Sequence, residues 1–127
     1  MTHVRTSLTV MVLAGLAACA QPQDMSGDAL CAAIRANQMF PSAARGQELR
    51  SEYARRNPGY SARTVDAVLR GSVFVGMDEY AATCSWGAEL AGETMGYGQH
   101  TRQYRSGGGA SFFFVNARTG QVEYISS

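Results

Sequence analysis

Residues suited to catalysis are few and scattered in this chain. His100 lies in a glycine-rich stretch, where a loop residue is more common than a general base. No serine is set in a nucleophile-elbow motif. Asp78 and Glu79 are adjacent and would not face each other on a helix, so helix capping is the simpler role for this pair. Cys31 and Cys84 have no third or fourth zinc ligand. The sequence therefore predicts no enzyme, no cofactor and no metal site.

A cysteine near the amino terminus is the residue best placed for covalent chemistry. The apolar stretch 8–18 has the length of a secretory-signal core and is too short to cross a bilayer as a stable helix. It ends in Leu16-Ala17-Ala18-Cys19, which resembles a lipobox, the processing site of bacterial lipoproteins. We therefore predict a lipoprotein signal peptide over 1–18 and lipid attachment at Cys19. The alternative is an ordinary signal peptide cut after Ala18.

The residues around this cleavage site also predict where the chain resides. A single acyl chain binds a membrane marginally, whereas two or more anchor it stably, and a bacterial lipoprotein carries three. Ala20 follows Cys19, and the absence of Asp at that position resembles an outer-membrane address. The predicted location is the outer membrane of the cell envelope, with the acylated (palmitate-labelled) protein facing the periplasm.

The two cysteines that remain after acylation make an even pair. In an oxidising compartment such a pair is expected to form a disulfide, so we predict a bridge between Cys31 and Cys84. The alternative is two buried free thiols, because cysteine is among the most buried residue types.

Composition excludes one class of partner. All eleven basic residues are arginine, they are balanced by ten acidic residues, and the formal net charge is +1. This balance lacks the basic footprint of a nucleic-acid-binding protein. We therefore expect the membrane, through the lipid, and an envelope protein as partners.

Helix signals fill the first part of the chain and strand signals the rest. Capping residues and apolar periodicity predict four helices, at about 28–39, 43–56, 62–70 and 79–86. Residues 89–98 are predicted to be mostly loop, with some strand near 94–97. Strands are predicted at 99–105, 111–116 and 121–125, with Val122 and Tyr124 on one face of the last.

Helices followed by a meander of strands indicate an α+β fold. We predict N-terminal helices packed on one face of a three-stranded antiparallel sheet. The predicted organisation is a signal peptide over 1–18, a polar tether over 19–27 and a single α+β domain over 28–127.

The second half of the chain has a recognisable pattern. A glycine-methionine element, Gly71-Ser72-Val73-Phe74-Val75-Gly76-Met77-Asp78, is followed by a helix ending in Trp86-Gly87 and by the strand segments 111–116 and 120–125. This pattern resembles the BamE (SmpA/OmlA) group of small outer-membrane lipoproteins. The resemblance implies two helices on a three-stranded antiparallel sheet, with a tight backbone at Gly76-Met77 that lets a helix dock on the sheet. The chain departs from the group after Gly87, where the usual proline is missing.

Two functional hypotheses follow from these observations. The first is a lipid-anchored, non-catalytic binding or scaffold module acting in outer-membrane assembly or integrity. The second is an envelope-located inhibitor of a hydrolase such as a lysozyme or a protease. For either, the candidate partner surface is the sheet and its loops, through Tyr97, His100, Tyr104 and Tyr124, because tyrosine is enriched at interfaces. The alternative is that these tyrosines complete the core or cover the sheet edge.

Overall fold

The computed structural model describes residues 20–127. The predicted signal peptide 1–18 and the predicted acylation site Cys19 lie outside the described residues. Among the described residues no helix is long and apolar enough to cross a membrane.

Within residues 20–127 the first part of the chain forms a short 3-10 turn, Pro22–Asp24, and four α-helices. The helices are α1 (Gly27–Met39), α2 (Ala43–Arg56), α3 (Ala62–Arg70) and α4 (Glu79–Trp86). Each begins after a residue whose side-chain oxygen accepts a hydrogen bond from a backbone N–H of the first turn: Ser26, Ser42, Ser61 and Asp78. These caps satisfy donors that a helix leaves unpaired, which explains why the four predicted helices are confirmed almost to the residue.

The rest of the described chain forms an antiparallel sheet of four strands in the order β1-β2-β3-β4. The strands are β1 (Glu89–Gly96), β2 (Gln99–Arg105), β3 (Phe112–Asn116) and β4 (Gln121–Ser126). The α+β class is confirmed, and the predicted number of three strands is corrected to four. The missing strand is β1, which spans the segment predicted to be mostly loop.

The position of β1 explains why its sequence gives no strand signal. Seven of its eight residues are exposed, because it pairs with β2 alone and forms an outer edge of the sheet. Apolar alternation marks a strand only when one of its faces is buried. Gly92 and Gly96 weaken the signal further, and the register is irregular between Leu90 and Gly92.

The core lies between the helices and the inner face of β3 and β4. From the sheet it receives Phe113, Val115 and Val122, each of which is almost completely buried. From the helices and their connections it receives Leu30, Ile34, Leu49, Tyr53, Val65, Ala67, Val68, Met77, Ala81, Ala82 and Cys84.

The predicted common face of Val122 and Tyr124 is wrong. Val122 is paired with Val115 and is buried, whereas Tyr124 is paired with Phe114 and is exposed. The register shifts at this point, and the extra residue on β4 is Glu123. A bulge of this kind breaks the two-residue alternation, so residues two apart point to opposite faces.

A short backbone pairing joins the helical layer to the edge of β4. The N–H of Gly76 donates to the carbonyl of Val122 at 2.7 Å, and the N–H of Val122 donates to the carbonyl of Met77 at 2.9 Å. Gly76 has a φ of +94°, a conformation that favours glycine. Met77, the next residue, is completely buried. The Gly76-Met77 element therefore docks α4 on the sheet.

The described part of the predicted tether, residues 20–27, packs on α2. Pro22 is buried. A guanidinium nitrogen of Arg56 donates to the carbonyls of Pro22 at 3.0 Å and Met25 at 2.7 Å, and Arg45 donates to the carbonyl of Ala20 at 3.0 Å. These residues therefore follow the surface of the domain, and Gly27 already belongs to α1.

Replacing either of two neighbouring phenylalanines of β3 with alanine should show that the two faces of the sheet contribute differently to stability. Phe113 is fully buried, so Phe113→Ala should lower the free energy of unfolding by about 3–5 kcal/mol. Phe114 is half-buried and packs on Tyr124 on the other face, so Phe114→Ala should cost less, about 1–2 kcal/mol from lost burial and the lost ring contact. Urea denaturation measures both values. Equal costs would contradict the assignment of Phe114 to an uncovered face.

Candidate functional site

The outer face of the sheet carries a group of aromatic side chains opposite the helices. Phe114 is paired with Tyr124 across β3 and β4, and their rings lie 5.7 Å apart. Phe112 lies two residues before Phe114 and so shares its face, and the guanidinium of Arg105 lies 5.3 Å from its ring centre. We call these four residues the open-face cluster. It combines apolar area, a phenol and a cation, which is the composition of many protein-binding surfaces.

The open-face cluster is only partly accounted for by the sequence prediction. Tyr124 belongs to the predicted partner surface and is 59% exposed. Phe112 and Phe114 do not belong to that predicted surface, which names only tyrosines and His100. The available signal was the run itself: apolar residues on both faces of a strand require a second apolar environment on the far side.

Tyr104 lies on the opposite face from Tyr124. It is paired with the buried Phe113, and the two rings stack with centroids 5.2 Å apart. Partial burial raises the pKa of the Tyr104 phenol above its usual value. Tyr104 therefore completes the core, as the alternative interpretation of the sequence proposed, and is not part of the open-face cluster.

Tyr97 and His100 lie on the β1–β2 hairpin. Tyr97 occupies the turn with a φ of +50° and is fully exposed, and His100 contacts the carboxylate of Glu93 on the neighbouring strand. Leu90 and Met95 are exposed on the same hairpin. The four predicted partner residues are thus divided among the hairpin, the core and the open face.

An open groove of about 470 Å³ lies among α1, α4 and the end of α2. Its tyrosines include Tyr53 and Tyr60, and the Tyr60 hydroxyl donates to an Asp78 carboxylate oxygen at 2.6 Å. Burial raises the pKa of Tyr53 to about 12, and burial with the Asp78 hydrogen bond raises that of Tyr60 further. Both phenols therefore stay protonated at neutral pH and cannot act as bases, so the groove offers shape and hydrogen-bond donors.

Cys31 and Cys84 form a disulfide that joins α1 to α4 beside this groove. Their Cα atoms are 5.2 Å apart, which confirms the predicted pair. They are 53 residues apart in the chain, and closing a loop of that length corresponds to about 4 kcal/mol of stabilisation in the chain-entropy model. Arg35 supports the same junction by donating to the Cys84 carbonyl at 3.0 Å.

A two-pronged ion pair joins α4 to β2 on the inner face. Arg102 donates to both Glu79 carboxylate oxygens, at 2.7 and 3.0 Å, and the Glu79 side chain is 8% exposed. This hydrogen bonding raises the pKa of Arg102. The pair ties α4 to β2, so we assign it a structural role: it positions the helical layer against the sheet.

A second charge cluster holds the segment that precedes α1. Glu52 accepts hydrogen bonds from Arg55 and Arg56, which lower the pKa of its carboxyl from 4.5 to about 2. Arg56 at the same time donates to the carbonyls of Pro22 and Met25. Glu52 therefore orients the arginine that fixes residues 22–25 on α2.

Within residues 20–127 no group of three or more His, Cys, Asp or Glu side chains is arranged to hold a metal ion. The chain matches no protein-family model, no curated protein and no solved structure.

Glu52→Gln should lower stability in a pH-dependent way. The folded-state pKa of about 2 lies below the ordinary value of 4.5, so ionised Glu52 stabilises the fold above about pH 4.5 and loses this contribution as the pH falls toward 2. The difference in unfolding free energy between wild type and Glu52→Gln should therefore shrink over that interval.

The matched control for this measurement is Glu48→Gln. It removes an exposed pair with Arg45 on the same helix and should change stability by less than about 1 kcal/mol. A Glu52→Gln difference that stays constant between pH 4.5 and 2 would argue against the ion-pair assignment.

Proposed function

We propose that this chain is a lipid-anchored protein of the bacterial cell envelope that binds an envelope protein through the open-face cluster and has no catalytic activity. Cys19 carries the acyl chains, the outer membrane is the location, and the domain faces the periplasm. The partner belongs to outer-membrane assembly or integrity. The single observation that carries the binding role is the cluster formed by Phe112, Phe114 and Tyr124 on the face opposite the helices.

The physical argument for binding is the cost of leaving this surface in water. Helices cover the inner face of β3 and β4, and Phe113 and Val115 fill that side. The outer face has aromatic side chains of similar size without a helix against them. Phe112 and Phe114 are half-buried and Tyr124 is exposed, and a group of partly exposed aromatic residues on a small protein commonly marks a contact site. Aromatic residues and arginine are also the residues that contribute most to binding energy.

The resemblance to the BamE group is part of the proposal. Its support is the Gly76-Met77 element, whose backbone pairs with Val122 and brings α4 onto the sheet, as the resemblance implies. The chain differs from the group's minimal domain by the helices α1 and α2, which precede the matching segment, and by the additional strand β1. We therefore propose a BamE-like domain with an extended helical layer and do not assign it to a particular complex.

A second candidate function is inhibition of an envelope hydrolase. The observation that favours it is the β1–β2 hairpin, which presents a fully exposed Tyr97 at its turn and the exposed Met95 beside it. A projecting hairpin with an aromatic tip fits a concave enzyme site. Under this alternative Tyr97→Ser would abolish inhibition of a lysozyme or protease, and variants of the open-face cluster would not.

Replacing Cys19 with serine tests the anchor. Serine has no thiol to accept diacylglycerol, so Cys19→Ser should move the protein from the membrane fraction to the soluble fraction and abolish metabolic labelling with palmitate. Cys31→Ser serves as the control, because it removes a cysteine without touching the processing site. Unchanged membrane retention and labelling of Cys19→Ser would refute acylation at this residue.

Replacing two residues of the open-face cluster tests the binding surface. Phe114→Ser with Tyr124→Ser should weaken capture of the envelope partner by roughly 30-fold, the effect of losing an interface hot spot worth about 2 kcal/mol. Tyr80→Ser is the control, since Tyr80 is 75% exposed and lies outside the cluster. Recovery of the same partner by both variants, with both folded, would eliminate the open face as the contact.

A further inference from the structure

The turn between α1 and α2 is an exposed and uncharged surface. Every residue from Met39 to Ala44 is exposed, and Met39 and Phe40 are 76% and 80% exposed. No charged residue occurs from Asn37 to Ala44. We call residues 39–44 the α1–α2 corner. Its tip consists of Met39, Phe40 and Pro41, and all three are exposed to water.

Part of the polar backbone around the corner is paired within the domain. Asn37 accepts a hydrogen bond from the Ser42 N–H at 3.2 Å through its side chain, and Ser42 accepts one from the Arg45 N–H at 3.3 Å. The Phe40 N–H donates to the Ala36 carbonyl at 3.1 Å. The remaining carbonyls of the tip can bond to water in the headgroup region, so the contact we consider is a shallow one.

Ala20, which follows the predicted acylation site, lies at the same end of the helical layer as the corner. Arg45, in the first turn of α2, donates to the Ala20 carbonyl, and Arg56, at the last residue of α2, donates to the carbonyls of Pro22 and Met25. Residues 20–25 therefore run along α2 from its beginning to its end. Ala20, the first described residue, is therefore held near the beginning of α2, where the corner is.

We propose that the α1–α2 corner is a second membrane contact, which inserts Met39 and Phe40 among the lipids beside the acyl chains of Cys19. This proposal rests on the acylation proposed above. An acyl anchor on a long flexible tether would leave the domain free to rotate. Here residues 20–25, which follow the proposed acylation site, are bonded to side chains of α2, so acylation would bring the surface beside Ala20 toward the bilayer. The surface found there is apolar, aromatic and uncharged, which suits the interfacial region of a lipid bilayer.

A fixed membrane contact would orient the whole domain. The opposite end of the helical layer carries Asn57, Tyr60 and Tyr80, together with the beginning of α1. This end would point away from the bilayer. The open-face cluster, on the far side of the sheet, would remain accessible to a periplasmic partner.

The test measures how deeply each end enters the membrane. The acylated full-length protein is reconstituted in vesicles of phosphatidylethanolamine and phosphatidylglycerol whose acyl chains are brominated, because bromine quenches nearby tryptophan. Phe40→Trp places the probe at the corner, and Tyr80→Trp is the matched control with nearly equal exposure, 75% against 80%. The wild-type chain has a single tryptophan, Trp86, and supplies the background. Met39→Trp gives an independent measurement of the same corner.

The expected result is loss of emission and a shift to shorter wavelength for Phe40→Trp and Met39→Trp, with neither change for Tyr80→Trp. If the acylated protein floats with the vesicles but the corner variants are unquenched, or are quenched no more than Tyr80→Trp, the corner does not touch lipid and the inference is overturned while the anchor stands. If the protein carries no acyl chain and does not float, the proposed function fails and this inference fails with it.

Discussion

The backbone pairing between Gly76-Met77 and Val122 determines how the two halves of this protein fit together. Its two hydrogen bonds join a connection in the helical layer to the edge strand β4. Because Met77 is then buried and Asp78 caps α4, the helix begins at a fixed point against the sheet. From that point Glu79 reaches Arg102 on β2. The position of the sheet relative to the helices depends on this short stretch of chain.

The same pairing explains why the two edges and the two faces of the sheet differ in how far they are covered by the rest of the chain. On the β4 side, the pairing and the bridge between Asp78 and Gln121 occupy part of the edge. On the other side β1 is an exposed edge, and its charged and glycine residues are of the kind that discourage pairing with another chain. The helices reach the inner face at β3 and β4, so that Phe113 is buried, while Phe114 on the other face is half-buried and packs on Tyr124. The asymmetry of the sheet thus creates the open-face cluster.

The sequence predicted the elements that depend on local chemistry and missed those that depend on tertiary position. Helix boundaries follow from caps such as Ser61 and from glycines such as Gly87, and these act within one turn. The strand β1 carries no burial pattern because neither face is covered. The bulge at Glu123 puts Val122 and Tyr124 on opposite faces, which the sequence did not predict, since an inserted residue has no signature of its own in a six-residue strand.

The predicted tether shows most clearly that tertiary contacts can order a segment whose own sequence is typical of a flexible linker. Residues 20–27 contain the polar and small residues of a flexible linker, and nothing local indicates that Pro22 is buried. The information lies about thirty residues away, in Arg45 and Arg56, whose side chains donate to the carbonyls of this segment. Arg56 is oriented by Glu52, whose lowered pKa reports the strength of that arrangement. A charge cluster on α2 therefore fixes the path of residues 22–25 along that helix.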